Sequence, residues 1–286
     1  MSRTNIILLW VVITLLTSSA SILTRYCNIS AASIGFWRVF GAAMLILPFA
    51  IWISRKENKN KFFTKGTLLA GLFLGAHFTT WCWGIQNTSI ANACLFIGLQ
   101  PLITPFIAHY MIGERLNKWE ILAVVIAIMG TLWLTIHQFS ASRSDFAGIT
   151  VTFISAILCS TYFVISRKFR AGHHIFVFST EVFFVAAFVQ AIAAILIYGS
   201  IEIGDTQSIL ALAGLILLPT VGGHALVMYV LKYAKPQLIS FSVPAQFVLA
   251  TIMAIPLFKE VPPLWFYPGA ILVLTGVILG IAKSEG

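Results

Sequence analysis

Leu69-Ala70-Gly71-Leu72 recurs as Leu212-Ala213-Gly214-Leu215, a shift of 143 residues. After a three-residue adjustment the shift becomes 146, and Gln100 falls on Gln246, Glu114 on Glu260 and Gly130 on Gly276. Near the start of each half, Thr24-Arg25 falls on Ser166-Arg167 at a shift of 142. Each coincidence is weak in a chain rich in Leu, Ala and Gly, but the series keeps its order with little drift, as an internal duplication does. It divides the chain into residues 1–140 and 141–286.

Of the 286 residues, 59% are apolar and 9% charged, against roughly 45–50% and about 25% in soluble domains. Apolar runs bounded by charge or turn residues fall at 5–24, 32–54, 66–86, 90–112, 119–137, 146–166, 174–198, 208–231, 237–258 and 264–282. Each is near the ~20 residues that cross a bilayer as a helix. The chain therefore reads as an all-α integral membrane protein of ten transmembrane helices. Five spans per half is an odd number, so the halves have opposite orientation: two inverted five-helix repeats, with a site expected near the midplane between them. The first run contains Ser19-Ala20-Ser21, which resembles a small-residue cleavage signal. It is kept as a helix because its counterpart in the second half lies mid-chain.

The net charge of +9 would suggest nucleic acid in a soluble protein, but here the cations sit between apolar runs. No nucleic-acid partner is expected; the partners are the lipid bilayer and a small molecule. Fourteen of the 18 Lys and Arg fall on the face of the two termini, among them Arg55, Lys59, Arg115, Arg167 and Lys235. The opposite face holds only Arg25, Arg143 and Lys259. Positively charged loops resist translocation, which places both termini in the cytoplasm of a cell-membrane protein. The cysteines Cys27, Cys82, Cys94 and Cys159 show no metal-ligand or redox spacing, so neither a disulfide, a metal nor a cofactor is expected. A monomer and a homodimer both fit the sequence.

Three motifs carry a resemblance: Thr88-Ser89-Ile90-Ala91-Asn92-Ala93, then Gln100-Pro101-Leu102-Ile103-Thr104-Pro105, closing in Gly113-Glu114-Arg115-Leu116, with Phe36-Trp37-Arg38 in the second span. The chain resembles the EamA branch of the drug/metabolite transporter superfamily over essentially its whole length. In the second half Lys259-Glu260-Val261-Pro262 stands where Gly-Glu would be expected, and Lys235-Pro236 replaces the Thr-Ser turn. The resemblance implies a ten-helix fold around a central cavity lined by the third, fourth, eighth and ninth spans, flanked by the first, second, sixth and seventh. It also implies transport of amino acids, other small metabolites or nucleotide-linked compounds, often outward.

Ionisable groups inside a span are costly and face a cavity or a partner. Arg38 in the second span and Glu181 in the seventh are related by the 143-residue shift. Their expected separation along the membrane normal is about 10 Å, from helix rise and membrane thickness. In the functional reading Arg38 attracts a substrate carboxylate and Glu181 binds an amine or takes up a coupling proton. In the bland one Arg38 binds backbone carbonyls or a Ser/Thr and holds helices together. His77 and Trp81 lie four apart on the third span. Asn92, Phe96 and Gln100 continue one stripe of the fourth, while His224 and Tyr229 stand on the eighth span and Ser242 and Gln246 on the ninth. Together they would give a cavity with aromatic walls and a few hydrogen-bonding heads. Interhelical hydrogen bonding is the competing use of the same residues. Gly71 and Gly75 read as close packing, as does Gly222-Gly223, with a hinge as the alternative.

A channel would require a continuous polar stripe, which none of the spans provides. An enzyme would require a nucleophile with its base, a metal cluster or paired carboxylates, and no such constellation is present. The expectation is a secondary carrier of small polar metabolites working by alternating access. Amphipathic or aromatic amino acids come first, with proton coupling through Glu181. Nucleotide-linked or cationic solutes are the alternative, and a membrane scaffold or receptor the rival of another class.

Overall fold

The computed structural model describes residues 3–57, 63–88, 90–138, 145–258 and 261–283. Lys59, Ser89, Arg143, Lys259 and Glu260, all used above, lie outside the described residues. Among the described residues, nine helices are long and apolar enough to cross a membrane. In chain order they are the first, second, third, fifth, sixth, seventh, eighth, ninth and tenth spans. The first three are Arg3–Arg25, Ala31–Lys56 and Lys65–Asn87; Lys118–Gln138 is the fifth and Asp145–Arg170 the sixth. The seventh is Ile175–Ala193 with Ala194–Tyr198, and the tenth is Phe266–Lys283. The fourth completes the ten in two pieces, Ile90–Ile97 and Gln100–Ile112, separated by a turn at Gly98 and Leu99.

Local chemistry sets the ends. Asn117 and Glu120 form a reciprocal cap on the fifth span: Asn117 Oδ1 accepts from the Glu120 amide at 2.8 Å, and Glu120 Oε2 accepts from the Asn117 amide at 2.7 Å. Asp205 caps the eighth span by accepting from the Ser208 amide at 2.8 Å. The fourth span stops at Gly113, whose φ of 73° is left-handed and suits glycine.

The eighth and ninth spans are interrupted as well. The eighth runs Thr206–Leu215, then a π-helical Ile216–Ala225, then Leu226–Val230. Pro219 lies inside the π segment and has no N–H for the Leu215 carbonyl. That carbonyl instead accepts from the Thr220 hydroxyl at 2.7 Å. The ninth span is Pro236–Ser240 and Ser242–Phe258, with a turn at Phe241.

The packing follows the duplication. The second span packs on the seventh and the fifth on the tenth, each on its own counterpart. The third packs on the sixth, and the eighth, its mate, packs on the first. The fold is therefore a ten-helix membrane bundle of two inverted five-helix repeats. Gly130 and Gly276 mark the symmetry at atomic scale. A Cβ on Gly130 would stand 2.6 Å from the Val273 nitrogen, and one on Gly276 would stand 2.5 Å from the Ala127 nitrogen. Gly71 and Gly75 bring the third span against Val185 and Val189 of the seventh, so the close-packing use of these glycines is the one the fold makes.

Polar links cross between the halves on both faces. On the face of the termini, rich in cations and here called the basic face, Arg167 Nε pairs with Glu114 Oε1 at 3.0 Å, and Lys235 Nζ with Glu120 Oε1 at 3.2 Å. Lys235, a departure from the family pattern, thus ties the ninth span to the fifth. On the opposite face Glu202 accepts from the Ser30 amide at 2.6 Å, and its carbonyl accepts from Trp37 Nε1 at 2.7 Å. The Asn28 amide donates to Ser208 Oγ at 2.9 Å, completing a strap across the end of the second span.

Candidate functional site

A central cavity of about 90 Å³ opens between the halves, lined by the first, second, third, fourth, sixth, eighth and ninth spans. It gathers Arg38, His77, Trp81, Gln100, His224 and Gln246. Arg38 is 1% exposed. Its Nε donates to Thr220 Oγ1 at 3.0 Å, and its guanidinium carbon lies 4.0 Å from the centre of the Phe78 ring. No carboxylate pairs with it among the described residues. The Thr220 hydroxyl donates to the Leu215 carbonyl beside Pro219, which leaves its lone pair for Arg38. The hydroxyl partner foreseen in the bland reading is therefore present, and the same guanidinium lines the cavity.

His77 is oriented by the sixth span. Ser155 Oγ donates to the His77 carbonyl at 3.0 Å, so it has no hydrogen left for the ring. His77 Nδ1 must then carry the proton and donate to Ser155 Oγ at 2.8 Å or its carbonyl at 3.1 Å. In a neutral ring this leaves Nε2 as an acceptor. Gln100 is 1% exposed, and its Oε1 is buried with no hydrogen-bond partner. Gln246 Nε2 donates to Ser242 Oγ at 3.3 Å, while that hydroxyl donates to the Ile239 carbonyl. His224 stands edge-on to Phe78, ring centres 5.0 Å apart, with Nδ1 unpartnered.

Three expected site residues lie elsewhere. Phe96 packs on Phe153 of the sixth span, because the turn at Gly98 and Leu99 ends the stripe it was to share with Gln100. Tyr229 packs edge-on against Tyr233, ring centres 5.5 Å apart, and projects away from His224, which is five residues distant and not four. Glu181 is buried at the other end of the third span, facing the Thr67 hydroxyl and the Phe63 and Thr64 amides, with neither oxygen reaching hydrogen-bond geometry. Arg38 rests on Phe78 and Glu181 faces Thr67, positions roughly 16 Å apart along that helix at 1.5 Å per residue. They are farther apart than the sequence suggested, and the cavity residues include no carboxylate.

Other cavity groups escaped the sequence reading. Thr17, Ser18 and Ser21 of the first span line it, as does Cys159. Thr17 and Ser18 donate to the carbonyls of Ile13 and Thr14, so they offer the cavity lone pairs. Their signal was visible, since Thr17-Ser18-Ser19 is a polar cluster inside an apolar run, but only Ser19-Ala20-Ser21 was remarked, as a cleavage-like pattern.

An inverted-repeat bundle with a polar midplane cavity is the architecture of a membrane carrier. Residues 4–136 and 146–281 both match the EamA-like transporter family, and the chain belongs to that family. Among relatives, it is 24% identical over 266 residues to an uncharacterized transporter of Archaeoglobus fulgidus, with 92% of each chain covered. It is 26% identical over 186 residues to the uncharacterized transporter YyaM of Bacillus subtilis, covering 59% of this chain and 58% of that one. It is 24% identical over 260 residues to the mouse solute carrier family 35 member G1, covering 86% of this chain and 70% of that one. A solved crystal structure superposes with a TM-score of 0.79 at 18% identity, covering 99% of this chain and all of the other.

Proposed function

We propose that the chain carries a small metabolite bearing a carboxylate across the membrane by alternating access, with amphipathic and aromatic amino acids as the first class of cargo. The observation that carries the proposal is the Arg38 guanidinium, buried beside the cavity with only its Nε bonded and no carboxylate partner among the described residues. A buried unpaired cation is costly, and a carboxylate bound bidentately would satisfy its remaining N–H groups. Gln100 Oε1 and His77 Nε2 offer an ammonium neutral acceptors, and Phe78, Trp81 and Phe247 offer walls to an apolar side chain.

In this reading the basic face is cytoplasmic and Glu181 takes up a coupling proton. The test is uptake and counterflow of labelled amino acids and simple organic acids in reconstituted vesicles. Carboxylate-bearing solutes should be carried, and Trp81→Ala and Gln100→Ala should weaken their binding with little change in thermal unfolding. Transport confined to cations or to solutes without a carboxylate would refute the assignment.

A further inference from the structure

Between the cavity and the basic face runs a second set of polar groups with no use in the site described. Cys159 and Phe163 of the sixth span line the cavity, and the Tyr162 ring lies 6.1 Å from that of His224, another lining residue. One turn further on is Ser166, and one more is Arg170, at the end of the span. The Tyr162 and Ser166 hydroxyl oxygens face each other without reaching hydrogen-bond geometry, and both are buried without a partner. Arg170 is 2% exposed; its Nη1 donates to the His173 carbonyl, and its Nε is buried and unpartnered. The start of the ninth span packs on the sixth, and there Gln237 is buried with both amide atoms unpartnered.

Buried polar groups are normally paired, and isolated exceptions are few. Three residues of the sixth span with unpartnered polar atoms in one column about 12 Å long, at two helical turns, with Gln237 on the helix packed against that span, indicate groups that find their partners in another state of the molecule. Phe163 and Phe178 fill the space beside them, Phe178 with its ring centre 5.8 Å from the Arg170 guanidinium carbon. Arg170 has no carboxylate partner among the described residues. It therefore repeats, at the mouth, the situation of Arg38 at the cavity.

We infer that Tyr162, Ser166, Gln237 and Arg170 form the half of the translocation route between the cavity and the basic face, with Arg170 the second station for the anionic group of the cargo. The sign of charge rests on the proposed function; the route itself rests on the column of unpartnered groups. Water enters the column when the basic face opens, and a carboxylate leaving Arg38 is received by Arg170.

The test needs no knowledge of the cargo. In a variant lacking Cys27, Cys82, Cys94 and Cys159, Ser166→Cys is exposed to an anionic and to a cationic methanethiosulfonate, applied separately from each face of sealed vesicles. Rates are normalised to those of the same reagents on Lys168→Cys. The expected result is modification from the basic face only, with the anionic reagent favoured about tenfold by the local field. Arg170→Gln should reduce that preference to about twofold or less. Gln237→Cys should behave in the same way and serves where Ser166→Cys folds poorly. Absence of modification at both positions while Lys168→Cys reacts would overturn the route. A preference unchanged by Arg170→Gln would overturn the second station. Neither result would alter the dependence of uptake on Arg38, so a failure here is distinct from a failure of the proposed function.

Discussion

Arg38 Nε donates to Thr220 Oγ1 at 3.0 Å, and the same hydroxyl donates to the Leu215 carbonyl at 2.7 Å, so one side chain joins the second span to the interrupted eighth. Thr220→Val keeps the shape and removes both bonds. It should cost on the order of 1–3 kcal/mol, the usual cost of leaving buried polar groups unpaired. Thr220→Ser should stay near the parent. Thermal unfolding in detergent of the three proteins tests this, and a Val variant as stable as the Ser variant would show that the link is incidental.

Gly75 is the tightest point between the third and seventh spans that also adjoins a buried amide. A Cβ there would lie 2.7 Å from Val189 Cβ, and the Gly75 carbonyl accepts from Gln190 Nε2 at 3.0 Å. Gly75→Val should lower stability by about 1–3 kcal/mol or more through overpacking. Because the nearest obstacle is the Val189 Cβ, which alanine would keep, Val189→Gly should recover part of the loss in Gly75→Ala and Val189→Ala should not. Failure of Val189→Gly to rescue would mean that the Ala186 carbonyl, 3.0 Å from the same Cβ, is the true limit.

These two sites show what the sequence could and could not disclose. Ten spans and their inversion were legible because a bilayer demands apolar length and an odd number of spans per half demands inversion. Arg38, His77, Trp81 and Gln100 were legible as polar or amphipathic residues in apolar runs. Phe96 was misplaced because an unbroken helix was assumed, and the turn at Gly98 and Leu99 rotates the two pieces apart. Thr220 went unremarked because its importance depends on the carbonyl that Pro219 frees. Glu181 was correctly seen as buried, but its neighbours, Thr64 and Thr67, follow only from how the seventh span leans on the third.

The strap on the face opposite the termini should loosen in acid. The hydroxyl and backbone N–H of Ser208 hold Asp205 below the usual carboxylate range, and the Asn28 side-chain amide adds a bond at 3.3 Å. A depressed folded-state pKa contributes stability that is complete above the usual carboxylate value and lost as pH falls through the lowered one. Protection of the amides of residues 26–34 from hydrogen exchange, taken relative to the intrinsic rate at each pH, should therefore fall below about pH 4. Asp205→Asn retains an acceptor and has no carboxylate, so its exchange should lose this step. Equal acid sensitivity in both proteins would assign the loosening to other groups.

Glu181 supplies a test of the coupling proposed above. Glu181→Gln preserves shape and cannot gain or lose a proton. Vesicles containing it should exchange cargo between equal pools at a rate within about threefold of the parent, yet should not respond to an imposed pH gradient. A variant driven by the gradient as strongly as the parent would reduce Glu181 to a partner of the third span's first turn.

The crossing of the fifth and tenth spans at Gly130 and Gly276 bears on how the protein is made. The groove around Gly130 is filled by a helix whose matching glycine lies 146 residues later in the chain. At typical synthesis rates of 5–20 residues per second, the fifth span waits roughly seven to thirty seconds in the bilayer before that helix exists. During this interval lipid must occupy the groove, and the last span to emerge displaces it. Closure of this crossing thus waits for the tenth span, and the first half enters the membrane already shaped for a partner not yet translated.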